Sequence, residues 1–87
     1  MEEVELKIDE FGTKRYFIKG ANILHRENGP AVEGANGYKV WYQYDKRHRL
    51  DGPAIEWSDG YKEYWINGKE VPNVNSIEEA VIKSLLE

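Results

Sequence analysis

The residues best suited to chemistry occur in two copies. His25 and His48, the only histidines, are each followed by an arginine, in HRENGPA at residues 25–31 and HRLDGPA at residues 48–54. An imidazole beside a guanidinium can exchange protons near neutral pH or share a phosphate with its neighbour. With a Trp or Tyr as a stacking platform, His25, Arg26, His48 and Arg49 would form a site for a nucleotide or a similar small ligand. The duplication favours a plainer use. A general acid and a general base need environments that push their pKa values apart, and repeat-related positions give similar ones. Histidines at equivalent turns can instead each hydrogen-bond a hairpin. Other nucleophiles are few: Ser58 beside an expected turn, Ser76 and Ser84 in the C-terminal segment, Thr13, and no cysteine. No Gly-rich loop precedes a helix, and no His/Cys/Asp spacing suits a transition metal. The sequence points away from an enzyme, with no catalytic residues, no metal site and no cofactor expected.

The elements that must position these pairs are themselves repeated. The two motifs are 23 residues apart (48 minus 25), and the same offset relates Gly37-Tyr38-Lys39-Val40-Trp41-Tyr42 to Gly60-Tyr61-Lys62-Glu63-Tyr64-Trp65. A degenerate earlier copy, Gly12-Thr13-Lys14-Arg15-Tyr16-Phe17, is offset by 25 (37 minus 12). This makes two full units and a truncated third ending in Trp65-Ile66-Asn67-Gly68-Lys69. Self-similarity at such a period marks an architecture in which no unit closes a core alone. Asn36-Gly37 and Asp59-Gly60 predict type I′ hairpin turns, which require positive φ at both central residues, and Asn67-Gly68 predicts another. Lys19-Gly20-Ala21-Asn22 is a looser turn, and Asn28-Gly29-Pro30 and Asp51-Gly52-Pro53 are turns in which proline cannot donate to a ladder. Val4, Leu6 and Ile8 alternate with charged residues, as a half-buried strand does. Beyond Pro72, Ser76 followed three residues later by Glu79 is a capping box, and Ile77, Ala80, Val81 and Leu85 share a helical face that Ile82 and Leu86 widen. The expected fold is α+β and mainly antiparallel β, a meander of repeated hairpins with one C-terminal helix packed on the sheet. It forms one domain over residues 1–87: an N-terminal strand in 1–11, repeats in 12–71 and the helix in 72–87.

Length and composition agree with a small single core: 87 residues, 40% hydrophobic, without cysteine for a disulfide or a thiolate metal site. MEEVELKIDE is acidic where a signal peptide is basic, and nothing approaches the ~20 apolar residues of a membrane span, so a soluble protein of a reducing cytoplasm is expected, with no membrane partner. The net charge of −4 is concentrated at the ends, and an acidic chain disfavours DNA. The one basic run, Lys46-Arg47-His48-Arg49, falls at an expected hairpin and reads as a solvated turn.

Strand alternation puts Tyr38, Val40 and Tyr42 on one face and Lys39 and Trp41 on the other; Tyr61, Glu63 and Trp65 likewise oppose Lys62 and Tyr64. One short helix covers a single face, so some rings remain for solvent or a partner, and Tyr and Trp carry much interface energy. The registered lysines Lys14, Lys39 and Lys62 point to their face as the wet one, with Tyr16, Lys39, Trp41, Lys62 and Tyr64 as a candidate partner-binding surface; in the alternative the rings pack on each other across strands and the lysines serve solubility.

The HRENGPAV and HRLDGPAI motifs, each linked to GYKVWY or GYKEYW and to an NGK turn, resemble the MORN-like short repeats common in bacteriophage and bacterial proteins. The resemblance covers about residues 12–71. The regular Tyr-x-Gly and His-Gly-x-Gly spacing of the eukaryotic scaffolds is absent, which sets their lipid-binding and junctional roles aside. What the resemblance implies is a hairpin sheet used for binding in a phage or prophage setting. The resulting expectation is a noncatalytic protein-binding module, a phage-encoded inhibitor of a bacterial host or defence protein. Nucleotide or small-ligand capture is one alternative. The other is a self-assembling structural protein that forms a homodimer through unpaired outer strands or the apolar helix edge at Ile82 and Leu86.

Overall fold

The computed structural model describes residues 2–86. Met1 and Glu87, the outermost residues of the expected N-terminal strand segment and C-terminal helical segment, lie outside the described residues. Ten strands precede one helix: β1 (Val4–Ile8), β2 (Lys14–Ile18), β3 (Val32–Glu33), β4 (Lys39–Val40), β5 (Tyr42–Gln43), β6 (Lys46–Arg47), β7 (Ile55–Glu56), β8 (Lys62–Glu63), β9 (Trp65–Ile66), β10 (Lys69–Glu70) and α1 (Ile77–Leu85). A six-stranded sheet runs β1-β2-β3-β4-β7-β8, every pair antiparallel. Two small hairpins, β5–β6 and β9–β10, stand beside it as separate two-stranded sheets. The fold class is the one expected from the repeat. No helix among the described residues is long and apolar enough to cross a membrane.

The repeat is visible in the hydrogen bonds. His25 N–H donates to Tyr16 O, His48 N–H to Trp41 O, and Val71 N–H to Tyr64 O, three equivalent anchors. Each small hairpin then leans on the His-Arg segment before it. Arg26 N–H donates to Tyr42 O and Asp45 N–H to Leu24 O; one unit later, Arg49 N–H donates to Trp65 O and Gly68 N–H to Arg47 O. In the third unit Val71 and Pro72 stand where the His-Arg pair would be, no further hairpin follows, and α1 takes its place. The helix begins as the capping box predicts: Ser76 Oγ accepts from Glu79 N–H at 3.1 Å. It packs against β9 of the last small hairpin, and Ala80 is fully buried. Leu85, expected on the buried face, is 78% exposed.

The expected type I′ turns at Asn36-Gly37 and Asp59-Gly60 take a different form. Only the glycines have positive φ, +95° and +94°. Asn36 Oδ1 accepts from Tyr38 N–H and Asp59 Oδ1 from Tyr61 N–H, which holds each polar residue in an Asx turn and leaves the left-handed position to glycine alone. Type I′ geometry occurs at Asn67-Gly68, as expected, and also at Tyr44-Asp45, where both residues have positive φ.

Across the sheet the register aligns two rows on opposite faces. Lys14, Glu33, Lys39, Glu56 and Lys62 form a ladder of alternating charge on one face. Arg15, Val32, Val40, Ile55 and Glu63 form a row on the other, and the buried cluster Val32, Val40 and Ile55 is its centre. The molecule is a slab 38 × 30 × 16 Å, about one sheet with its side chains in its thin direction.

Candidate binding cleft

The HRxxGPA motifs are resolved atom by atom as structure. His25 Nδ1 accepts from Tyr44 N–H at 3.1 Å, and His48 Nδ1 accepts from Asn67 N–H at 2.9 Å, so each imidazole caps the type I′ turn of the following hairpin. His25 is buried and its ring lies 4.2 Å from that of Tyr44. Burial holds the His48 pKa below its ordinary value of 6.5, which keeps Nδ1 free to accept. The arginines wrap the Gly-Pro turns. Arg26 donates to Pro30 O at 3.1 Å and lies 4.0 Å from the centre of the Tyr16 ring; Arg49 donates to Pro53 O at 3.0 Å and lies 3.8 Å from the centre of the Trp41 ring. Arg26 also meets Glu33 at 3.7 Å, and Arg49 meets Glu56 at 3.1 Å and Asp51 at 2.8 Å. A Cβ on Gly29 would come within 3.1 Å of the Arg26 guanidinium and one on Gly52 within 2.7 Å of the Arg49 guanidinium, which is why glycine occupies both places. An open depression of about 680 Å³ borders Trp41, His48 and Arg49, but Glu27 and Asp51 stand on its rim, and Arg49 is engaged by two carboxylates.

The expected partner-binding residues Tyr16, Lys39, Trp41, Lys62 and Tyr64 share one face, as alternation requires. Lys39 and Lys62 are exposed; each lies across from Glu56, and Lys39 also from Glu33, while those two carboxylates meet Arg49 and Arg26. The Tyr16 and Trp41 rings are half-buried beneath Arg26 and Arg49.

The opposite face holds an open cleft of about 620 Å³. Its floor is Val32, Val40 and Ile55. Tyr38 and Trp57 stand on one side with ring centres 6.2 Å apart; Tyr42 and Trp65 stand on the other. Tyr38 folds inward because Gly34 beside it lacks a side chain: a Cβ there would lie 2.0 Å from the Tyr38 ring. In the next unit Trp57 occupies the glycine's place and Tyr61 turns outward, 62% exposed. Glu63 ties the cleft together, accepting from Trp57 Nε1 at 2.8 Å with one oxygen and from Trp65 Nε1 at 3.0 Å with the other. Arg47 lies 4.8 Å from the centre of the Trp65 ring and 5.9 Å from that of Tyr42. Its Nε is buried without a hydrogen-bond partner, and among the described residues no carboxylate lies within salt-bridge distance of it. Arg15, the other cationic lining residue, is held by Asp9 at 2.9 Å, and that contact lowers the Asp9 pKa. The expectation of a solvated basic turn is therefore corrected. In the run 46–49 only Lys46 is exposed, Arg47 enters the cleft, His48 caps a turn and Arg49 wraps another.

Sequence reasoning named none of the cleft residues as a site. Their signal was present in the alignment of the two copies, where Gly34 faces Trp57, Val40 faces Glu63 and Arg47 faces Glu70 at the offset of 23 (57 minus 34). No protein-family model, curated protein or solved structure matches this chain.

Proposed function

We propose that the protein is a noncatalytic protein-binding module and that it grips its partner in the cleft floored by Val32, Val40 and Ile55. The observation that carries this reading is Arg47: a guanidinium stacked against Trp65 and Tyr42, with a buried unsatisfied Nε, beside an acid, Glu63, whose two oxygens are already taken by indoles. Arg47 is the one cationic group of the lining without an ion pair among the described residues, and the walls are Tyr and Trp, the side chains enriched with Arg at the energetic centres of interfaces. A partner segment offering an apolar side chain to the floor and a carboxylate to Arg47 complements it. The cleft is open and Trp57 is 43% exposed, which suits a protein surface better than an enclosed small molecule. Noncatalytic use is supported by the histidines, whose Nδ1 atoms are committed to backbone N–H groups. The repeat resemblance makes a bacterial host or defence protein the partner class to try first, with this chain as its phage-encoded inhibitor.

The test compares capture of bacterial proteins by the wild-type chain with capture by folded Arg47→Glu, Trp57→Ala and Lys39→Glu variants. A protein retained by the wild type and by Lys39→Glu, and lost from the two cleft variants, supports the reading. Retention by both cleft variants refutes the cleft. A copurifying compound of a few hundred daltons, with no protein partner, refutes the module and restores small-ligand capture.

A further inference from the structure

Strand β1 is an edge of the six-stranded sheet, and all five of its residues are exposed. Lys19 N–H donates to Glu3 O, and Asp9 N–H donates to Thr13 O, which fixes the phase of its ladder with β2. Because hydrogen-bonded pairs alternate along an antiparallel ladder, Glu3, Glu5, Lys7 and Asp9 direct their backbone groups to β2. The N–H and C=O of Val4, Leu6 and Ile8 therefore point away from the sheet. These residues are 38%, 45% and 58% exposed, and their side chains lie on one face, in line with Ile18, Tyr16 and Lys14 of β2. Edge strands with free groups and exposed apolar side chains are templates for pairing.

We propose that this edge is a homodimer interface, in which β1 pairs antiparallel with β1 of a second copy about a two-fold axis at Leu6. The sequence Val-Glu-Leu-Lys-Ile is complementary to itself in that register. Leu6 opposes Leu6 of the second copy, Val4 opposes Ile8, and Glu5 opposes Lys7, twice by symmetry. Every outward N–H and C=O of the strand then finds a partner, since the residues that face outward are the ones this axis pairs. The charges fit as well. Among the described residues Glu5 and Lys7 have no oppositely charged group within salt-bridge distance, and Lys7 lies across from Arg15, a like charge. The second copy supplies each missing counter-charge. Where the register sets Glu3 against Asp9, each already holds a cation of its own chain, Lys19 and Arg15. The two six-stranded sheets become one continuous sheet. The interface stands apart from the cleft, whose lining includes no residue of β1.

Sedimentation velocity over a concentration series tests this, with the full chain and four forms of it. The wild type is expected to dimerise. Glu5→Lys and Lys7→Glu each set like charges opposite one another twice and weaken the dimer about tenfold. Mixed together, the two variants form a heterodimer, because positions 5 and 7 are then both basic on one chain and both acidic on the other, and each pair across the axis unites opposite charges. The double variant Glu5→Lys/Lys7→Glu dimerises like the wild type. Leu6→Pro removes only an outward N–H, which an edge strand tolerates, and leaves a folded monomer. Circular dichroism confirms the fold of each. A wild type that stays monomeric at all concentrations overturns the proposal, as does a dimer that Glu5→Lys and Leu6→Pro leave intact.

Discussion

Replacing Gly52 with alanine isolates the contact on which each repeat turns. The glycine has no need of positive φ, so the effect is steric: the new Cβ would lie 2.7 Å from the Arg49 guanidinium carbon and 2.9 Å from Nη1. The guanidinium must leave, although its side chain is only 19% exposed and is fixed on several sides. Its bonds to Pro53 O and Glu56 are part-buried and together contribute about 1.5 kcal/mol after allowance for solvent. The stack on Trp41 contributes about 1 kcal/mol more. The contact with Asp51, which is 87% exposed, contributes close to nothing. Against this loss, alanine restricts the unfolded chain and returns about 0.5 kcal/mol. The expected net destabilisation is about 2 kcal/mol, a fall in Tm of roughly 10 °C for a domain of this size. Urea denaturation of a double-mutant cycle gives the decisive reading. In an Arg49→Ala background nothing obstructs the Cβ, and Gly52→Ala becomes stabilising by about 0.5 kcal/mol, a coupling of about 2.5 kcal/mol. An equal cost in both backgrounds would show that the glycine serves backbone conformation and would refute the account of the motif.

Three further outcomes follow from the same geometry. Burial lowers the His48 pKa in the fold, so the unfolded chain takes up the proton first; stability is full above the ordinary value of 6.5 and declines as pH falls through it. Thermal melts between about pH 7.5 and about pH 5.5 are expected to show that decline in the wild type and a smaller one in His48→Ala, which no longer caps Asn67; equal slopes would count against the cap. Gly34→Ala places a Cβ 2.0 Å from the Tyr38 ring and should turn that tyrosine outward, as Tyr61 already is, at a cost of about 1–2 kcal/mol in urea denaturation. Glu63→Gln keeps one acceptor oxygen and sets an amide NH2 against the second indole, so one of the two Trp bonds is lost; denaturation followed by tryptophan fluorescence should register about 1–2 kcal/mol, and an unchanged midpoint would deny that the carboxylate bridges the rings.

The meander, its strand phase and the helix cap were legible because each rests on local chemistry. Asn67-Gly68 adopts its I′ turn, Ser76 caps α1, and the offset of 23 (48 minus 25) pairs equivalent strands in equivalent registers. Tyr44-Asp45 was not legible as a turn, since Tyr disfavours positive φ and no glycine follows it. It is held there by contacts from far along the chain: His25 Nδ1 accepts from Tyr44 N–H, and Asp45 Oδ1 accepts from Leu24 N–H at 2.7 Å. The lysines are exposed, but the cover on the rings beside them was not legible. Arg26 reaches back to Tyr16 and Arg49 to Trp41, between strands that become neighbours only in the folded sheet. Alternation alone also missed the ladder, because Glu33 and Glu56 come to lie opposite the lysines only once register is known.

The two copies differ in an instructive way. Within the HRxxGPA motif and the Glu that follows it, the positions identical between the copies include the His that caps a turn, the Arg that wraps one, the Pro whose carbonyl that Arg binds and the Gly that fits beneath its guanidinium. A repeat needs these in every unit that another unit follows, which is why Val71 can replace the histidine where the helix ends the series. Positions that differ, Gly34 and Trp57, Val40 and Glu63, Leu24 and Arg47, converge on the cleft. Identical units would have made that face a uniform surface. Divergence gives it a floor, an inward tyrosine, a carboxylate that orients two indoles and an arginine without a counter-charge. A sheet assembled from copied turns thus separates its tasks by position: the shared residues build the frame, and asymmetry between units makes one face able to distinguish a partner.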